Sequence, residues 1–125
     1  MTDDDLKQRT KQFALRVLKL IDALPKSRAG GIVAGQLGRC GTSVGANYRA
    51  ACRARSKKEF VAKIGNVEEE SDESAYWMEV IIEAAMLPAR VVRPLHDEAI
   101  QILKIMVASG KSARESLKRI ARSRV

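Results

Sequence analysis

Histidine occurs once in this chain, at His96, and cysteine twice, at Cys40 and Cys52. Metal sites on helical proteins need several His and carboxylate ligands at i, i+3 or i+4 on facing helices. The sequence contains no Glu-x-x-His and no Cys-x-x-Cys, so no metal and no cofactor is expected. Glu69, Asp72 and Glu73 share one helical face, but no second segment offers partner ligands. That face reads as solvated or as paired with arginines. Gly35-Gln36-Leu37-Gly38-Arg39-Cys40-Gly41 is glycine-rich, yet it fits neither G-x-G-x-x-G nor the P-loop pattern, and no strand precedes it. With no convergent set of chemical groups, no catalytic residue is expected.

Aromatics make up only 4% of the chain. A core must therefore come from Leu, Ile, Val, Met and Ala, which suits helix-on-helix packing better than a β-sandwich. No apolar run reaches the length of a membrane span, so no membrane partner is expected. Met1-Thr2-Asp3-Asp4-Asp5 is acidic and unlike a secretory leader. On one helix, Cys40 and Cys52 would stand about 18 Å apart along the axis, too far for a disulfide. A reduced, cytoplasmic protein is the expectation.

What is present is a soluble composition: 125 residues, 46% hydrophobic and 30% charged. This is one domain, 1–125. Leu6, Phe13, Val17, Leu20 and Leu24 alternate by threes, fours and sevens after a Thr2 cap and three acids. They predict a helix over about 3–24, ended by Pro25. Val33, Leu37, Cys40, Val44, Asn47 and Ala51 predict a second over about 29–55. Gly35, Gly38, Gly41 and Gly45, inside the periodic stretch, cost about 4 kcal/mol relative to alanine, so a loop competes with this reading. Gly38, Gly41 and Gly45 fall near one face, where a neighbouring backbone could come close.

Ser56-Lys57-Lys58-Glu59 has the form of a capping box. The seam Phe60, Ile64, Val67, Ser71, Ser74, Met78, Ile81 and Ala85 predicts a third helix over about 57–87. Pro88 and Pro94 bracket a connection. Ala99, Ile102, Met106, Ser109, Ala113, Leu117 and Ile120 predict a fourth over about 95–120, its basic end fraying. Short connections force antiparallel neighbours, which gives an all-α, up-and-down antiparallel four-helix bundle.

Charge is segregated within a net of +8. Residues 26–58 hold cations and no acid, while residues 59–83 hold eight acids against Lys63 alone. The tail is basic again. Arg49, Arg53, Arg55, Lys57 and Lys58 form a basic corner, and Lys111, Arg114, Lys118 and Arg119 a basic tail. Either set can be a solvated or intersubunit face, or can neutralise phosphates of a nucleic acid. Tyr48 is the one aromatic near the corner, so base stacking there is poor. Asn47, lying in the seam, is expected to bond to helix three through Ser71 or Asp72; a ligand contact is the alternative.

Several of these residues form a familiar pattern. Gln36-Leu37-x-Arg39, with Ser43-Val44 and Asn47, is similar to Q-L-x-R-x-x-x-S-V-x-x-N. Ser56-Lys57-Lys58-Glu59-Phe60 fits S-x-x-E-F, and Asp72-Glu73-Ser74-Ala75-Tyr76-Trp77-Met78-Glu79 looks like D-E-x-x-Y-W-L-E. Val107 to Lys111 falls where a small-residue run is usual. Together these resemble the family of proteins encoded in 23S ribosomal RNA intervening sequences, from about Phe13 to Arg114. Many members carry Glu-Gly soon after the Asn, where this chain has Arg49-Ala50-Ala51. The resemblance implies a four-helix bundle, a homopentameric ring and no enzymatic activity. Relatives accompanying diversity-generating retroelements bind nucleic acid and a reverse transcriptase through basic surfaces. Arg39, Ser43, Asn47, Asp72 and Glu73 are implied to be structural polar contacts. Two functions stay open: binding of nucleic acid, RNA in the first place, through the basic surfaces, or a scaffold or adaptor ring that docks a protein partner.

Overall fold

Three of the four helices begin where a side chain takes up a free backbone N–H. In this computed structural model, which describes residues 1–124, Thr2 Oγ1 accepts from the Asp5 N–H at 3.1 Å, and the Asp5 carboxylate accepts from the Thr2 N–H at 2.9 Å. That reciprocal cap starts α1, Asp3–Asp22. Ser27 caps α2, Arg28–Cys52, by accepting from Gly30. Ser56 caps α3, Lys57–Glu83, by accepting from Glu59 at 3.0 Å. The Glu59 carboxylate does not close the box on Ser56; it accepts from the Arg55 N–H at 3.1 Å.

The fourth helix departs from expectation. α4 runs Ala89–Ser123, with Pro88 as its cap and Pro94 inside it. Pro94 does not end a connection. A proline in the second turn forfeits the bond its missing N–H would make to the residue four before it and crowds that residue's carbonyl, yet the helix runs through it. Val92 and Leu95, buried on either side of it, hold that turn to the core. The basic end does not fray either: Arg, Lys, Ala and Leu are good helix formers, and helix continues through Ser123.

The helices pack in chain order, α1 on α2, α2 on α3 and α3 on α4, and a thinner α1–α4 face closes the bundle. No strand occurs among the described residues. The core is one cluster, with Phe13, Leu37, Ile64, Met78, Ile81, Ile102 and Met106 among its largest fully buried side chains. Buried Thr10, Ser71 and Ser74 satisfy their hydroxyls on carbonyls one turn back, at 2.8 Å each.

Three of the α2 glycines explain themselves. A Cβ on Gly41 would stand 2.8 Å from a Val17 methyl, and one on Gly45 would stand 3.1 Å from Thr10 Oγ1. A Cβ on Gly38 would stand 3.2 Å from the Ile21 side chain. The helix that looked weakest by propensity carries its glycines where α1 comes closest.

The seam of α2 differs from the sequence reading at one point. Tyr48, not Asn47, is the buried residue there, and Asn47 sits half-exposed at the edge. Tyr48 therefore offers no ring to a ligand. Seven-residue spacing is slightly short of two helical turns, so a strict seam drifts around the helix.

Candidate functional site

The up-and-down path brings the start of α1, the end of α2, the start of α3 and the last turns of α4 to one end of the bundle. Two contacts tie that end together. The Tyr48 hydroxyl donates to Asp3 Oδ1 at 3.3 Å, and Lys57 Nζ donates to Ser116 Oγ at 2.7 Å. Burial, then the neighbouring Cys52 and Asp3, push the Tyr48 phenol well up, so it stays a neutral donor.

Past Gly110 no residue of α4 is fully buried. Since Lys57 opens α3 and already meets Ser116, the residues after Ser116 run on beyond the start of α3. Between this extension and the α2–α3 corner lies a groove of about 960 Å³. Arg55, Lys57 and Arg119 supply its positive charge, and Ser56, Ser109, Ser112 and Ser116 its hydroxyls. Ala51, Cys52 and Phe60 contribute to its floor, and Asp3 is its one carboxylate. Guanidinium, ammonium and hydroxyl groups all donate hydrogen bonds, so the groove suits an oxyanion.

The fold thus joins corner and tail, which are far apart in sequence. Of the basic residues singled out above, Arg55, Lys57 and Arg119 line the groove. Arg53, Lys58, Lys111 and Lys118 are exposed outside its lining. Arg114 points elsewhere, to Glu68 of α3 at 3.7 Å. Arg49 lies over a separate α1–α2 depression of about 190 Å³ with Lys7 and Lys11. Sequence reasoning passed over those two lysines and the serines. Ser109, Ser112 and Ser116 fall at i, i+3 and i+7, a single-face spacing that was readable.

The polar set implied to be structural is placed differently from expectation. Asn47 Nδ2 donates to Glu70 of α3, not to Ser71 or Asp72. Ser43 donates to the Arg39 carbonyl inside its own helix at 2.7 Å. Arg39, Asp72 and Glu73 are exposed and make no ion pair among the described residues. Their geometry is that of an open face, because neighbours on α2 and α3 rather than these three point at each other.

Other chemistry is sparse. His96 Nε2 meets Glu79 Oε2 at 2.8 Å on the α3–α4 surface, away from the groove. Both cysteines are free thiols. Burial pushes the Cys40 thiol up, with the Ser74 hydroxyl, 3.4 Å from its sulfur, opposing that. Among the described residues, no three His, Cys, Asp or Glu side chains converge to hold a metal ion, and no helix is long and apolar enough to cross a membrane.

Comparison with known proteins agrees with this architecture. No curated protein matches the chain. Among solved structures it is similar to a protein of unknown function from the S23 ribosomal protein family of Bacteroides thetaiotaomicron. The two share 28% identity at a TM-score of 0.81, over 89% of this chain and 99% of the other. The family match covers residues 2–108. Lys111, Arg114, Lys118 and Arg119 therefore lie beyond it, and the groove joins a family-matched corner to an unmatched helix end. On that match, this chain belongs to the 23S rRNA-intervening sequence protein family.

Proposed function

We propose that this protein is a non-catalytic, cytoplasmic helical-bundle protein that binds RNA by charge at the basic end of its bundle. The observation that carries the reading is the groove, where Arg55 and Lys57 of the corner and Arg119 of the tail line one space with four serines. Long exposed cations around a concave surface release counterions when they neutralise phosphates, and this supplies affinity without sequence readout. Ser116 helps in a second way. Its oxygen accepts from Lys57, which leaves its own proton free to donate to a ligand.

The protein acts as a homo-oligomer, a pentameric ring in keeping with the family resemblance. Arg39, Asp72 and Glu73 support assembly because they are exposed and of opposite charge, with no ion pair among the described residues. Repeating the basic end around a ring multiplies weak phosphate contacts. The same open α2–α3 face supports the second reading, a scaffold that docks a protein partner.

The test is binding of a structured RNA across a salt series. Affinity should fall steeply as salt rises, by a log–log slope of about −0.7 to −0.9 per phosphate neutralised. Binding indifferent to salt, or none at low salt, rejects the reading and leaves the scaffold.

A further inference from the structure

The distribution of rings and hydroxyls says which form of RNA the groove accepts. Resting on the RNA-binding reading above, we infer that its ligand is double-helical RNA, held by its ribose–phosphate surface, rather than single-stranded RNA.

The chain's aromatic rings are not placed for stacking. Proteins that hold single strands combine cations with rings on which successive bases stack, at about 1–3 kcal/mol per base. Phe13 and Tyr48 are sealed in the core at 1% and 3% exposure. Phe60 reaches the groove only as half-buried floor packed against the core. Tyr76 is 55% exposed, but it stacks edge-on with Trp77 at 5.1 Å between centroids. Both sit on α3 between Glu73 and Glu79, where carboxylates repel a polyanion. A splayed base would find cations here but no ring to rest on.

What the groove offers fits a duplex exterior. A phosphate can only accept hydrogen bonds, whereas a 2′-hydroxyl both donates and accepts. The groove holds groups of both kinds: Arg55, Lys57 and Arg119 as donors, the serines as either, and Asp3 as an acceptor. Asp3 already accepts from Tyr48 through Oδ1, and its other oxygen can accept from a ribose hydroxyl. No Asn or Gln lines the groove to read base edges. The α4 extension adds exposed Lys111, Lys118 and Arg122 over about 16 Å of helix, with Glu115 among them on the same face. Cations held at fixed spacing on a helix suit the fixed phosphates of a duplex. Double-stranded RNA is recognised in this way, by shape, phosphate and 2′-hydroxyl contacts.

The experiment compares three labelled probes by fluorescence anisotropy with the full chain at one salt concentration. They are a mixed-sequence RNA duplex of about 16 base pairs, the DNA duplex of the same sequence, and oligouridine of the same length. The duplex RNA should bind about tenfold tighter than oligouridine and several-fold tighter than duplex DNA. A Ser109→Ala/Ser112→Ala variant should lose more affinity for the RNA duplex than for the DNA duplex and so narrow the gap between them; equal losses on the two would overturn the inference. Oligouridine binding as tightly as duplex RNA overturns the inference and leaves the RNA-binding reading standing. Equal affinity for the RNA and DNA duplexes also overturns it. No binding by any probe at low salt removes the underlying reading instead.

Discussion

Lys57 and Ser116 stand 59 positions apart in the chain and 2.7 Å apart in space. That contact lies where α4 leaves the bundle, at the groove between its last turns and the α2–α3 corner. The groove cations are exposed, so replacing them should disturb binding more than stability. Lys57→Ala should weaken RNA binding several-fold and flatten the salt dependence by about one phosphate's worth. Its thermal midpoint should stay within about 2 °C of the parent.

The α2 glycines separate into two classes. Gly41→Ala gains helix propensity of about 1 kcal/mol, but its methyl meets Val17 at 2.8 Å. Overpacking of that kind costs about 1–3 kcal/mol, so the variant should melt lower. Gly35 has nothing within 4 Å of an added Cβ. Gly35→Ala should therefore melt higher, by several degrees. Thermal melts of the two variants side by side check this, and equal shifts would contradict it.

Much of this architecture could be read in the sequence, because hydrophobic spacing reports which face of a helix is buried whatever it packs against. Leu6, Phe13, Val17, Leu20 and Leu24 are all buried as their spacing implies. Pro94 misled because a proline in the second turn costs a bond and crowds a carbonyl, while buried Val92 and Leu95 hold that turn helical against the core. Asn47 was misplaced because a seam counted in threes and fours drifts with distance, and Tyr48 took its place in the core. The groove was not readable as a unit. Arg55 and Arg119 meet through the antiparallel return of α4 along α3, which no local pattern encodes. The serines were visible at helical spacing, yet serine by itself signals nothing.

Ala85 has a positive φ of 56°, the left-handed conformation that favours glycine. It closes α3 in a Schellman turn: Met86 N–H donates to the Ile81 carbonyl at 2.9 Å and Ala85 N–H to Ile82 at 3.0 Å. Ala85→Gly should relieve about 1 kcal/mol of strain, less the greater freedom of glycine in the unfolded chain. A small rise in the midpoint of chemical denaturation at unchanged slope is expected, and a fall would contradict the assignment.

Arg9 holds Glu98 by a two-pronged bond at 2.8 and 2.7 Å across the thin α1–α4 face. Hydrogen bonding to Arg9 keeps the Glu98 carboxyl below its ordinary 4.5. A depressed carboxylate adds stability above its unfolded value and loses it as pH falls through the folded one. At pH 7 Glu98→Gln should cost about 1 kcal/mol. The gap between parent and variant should close as pH drops below the ordinary 4.5. A gap that persists undiminished in stronger acid would contradict this account of the pair.

The central claim is that position, and not net charge alone, makes the basic end the site. The direct test is RNA affinity for two triple variants that each remove three positive charges. Arg55→Ala/Lys57→Ala/Arg119→Ala empties the groove, and Lys26→Ala/Arg28→Ala/Arg93→Ala strips exposed cations at the opposite end. The account predicts that the first variant loses about a hundredfold in affinity at moderate salt while the second stays near the parent. Equal losses in the two, or a larger loss in the second, would contradict it.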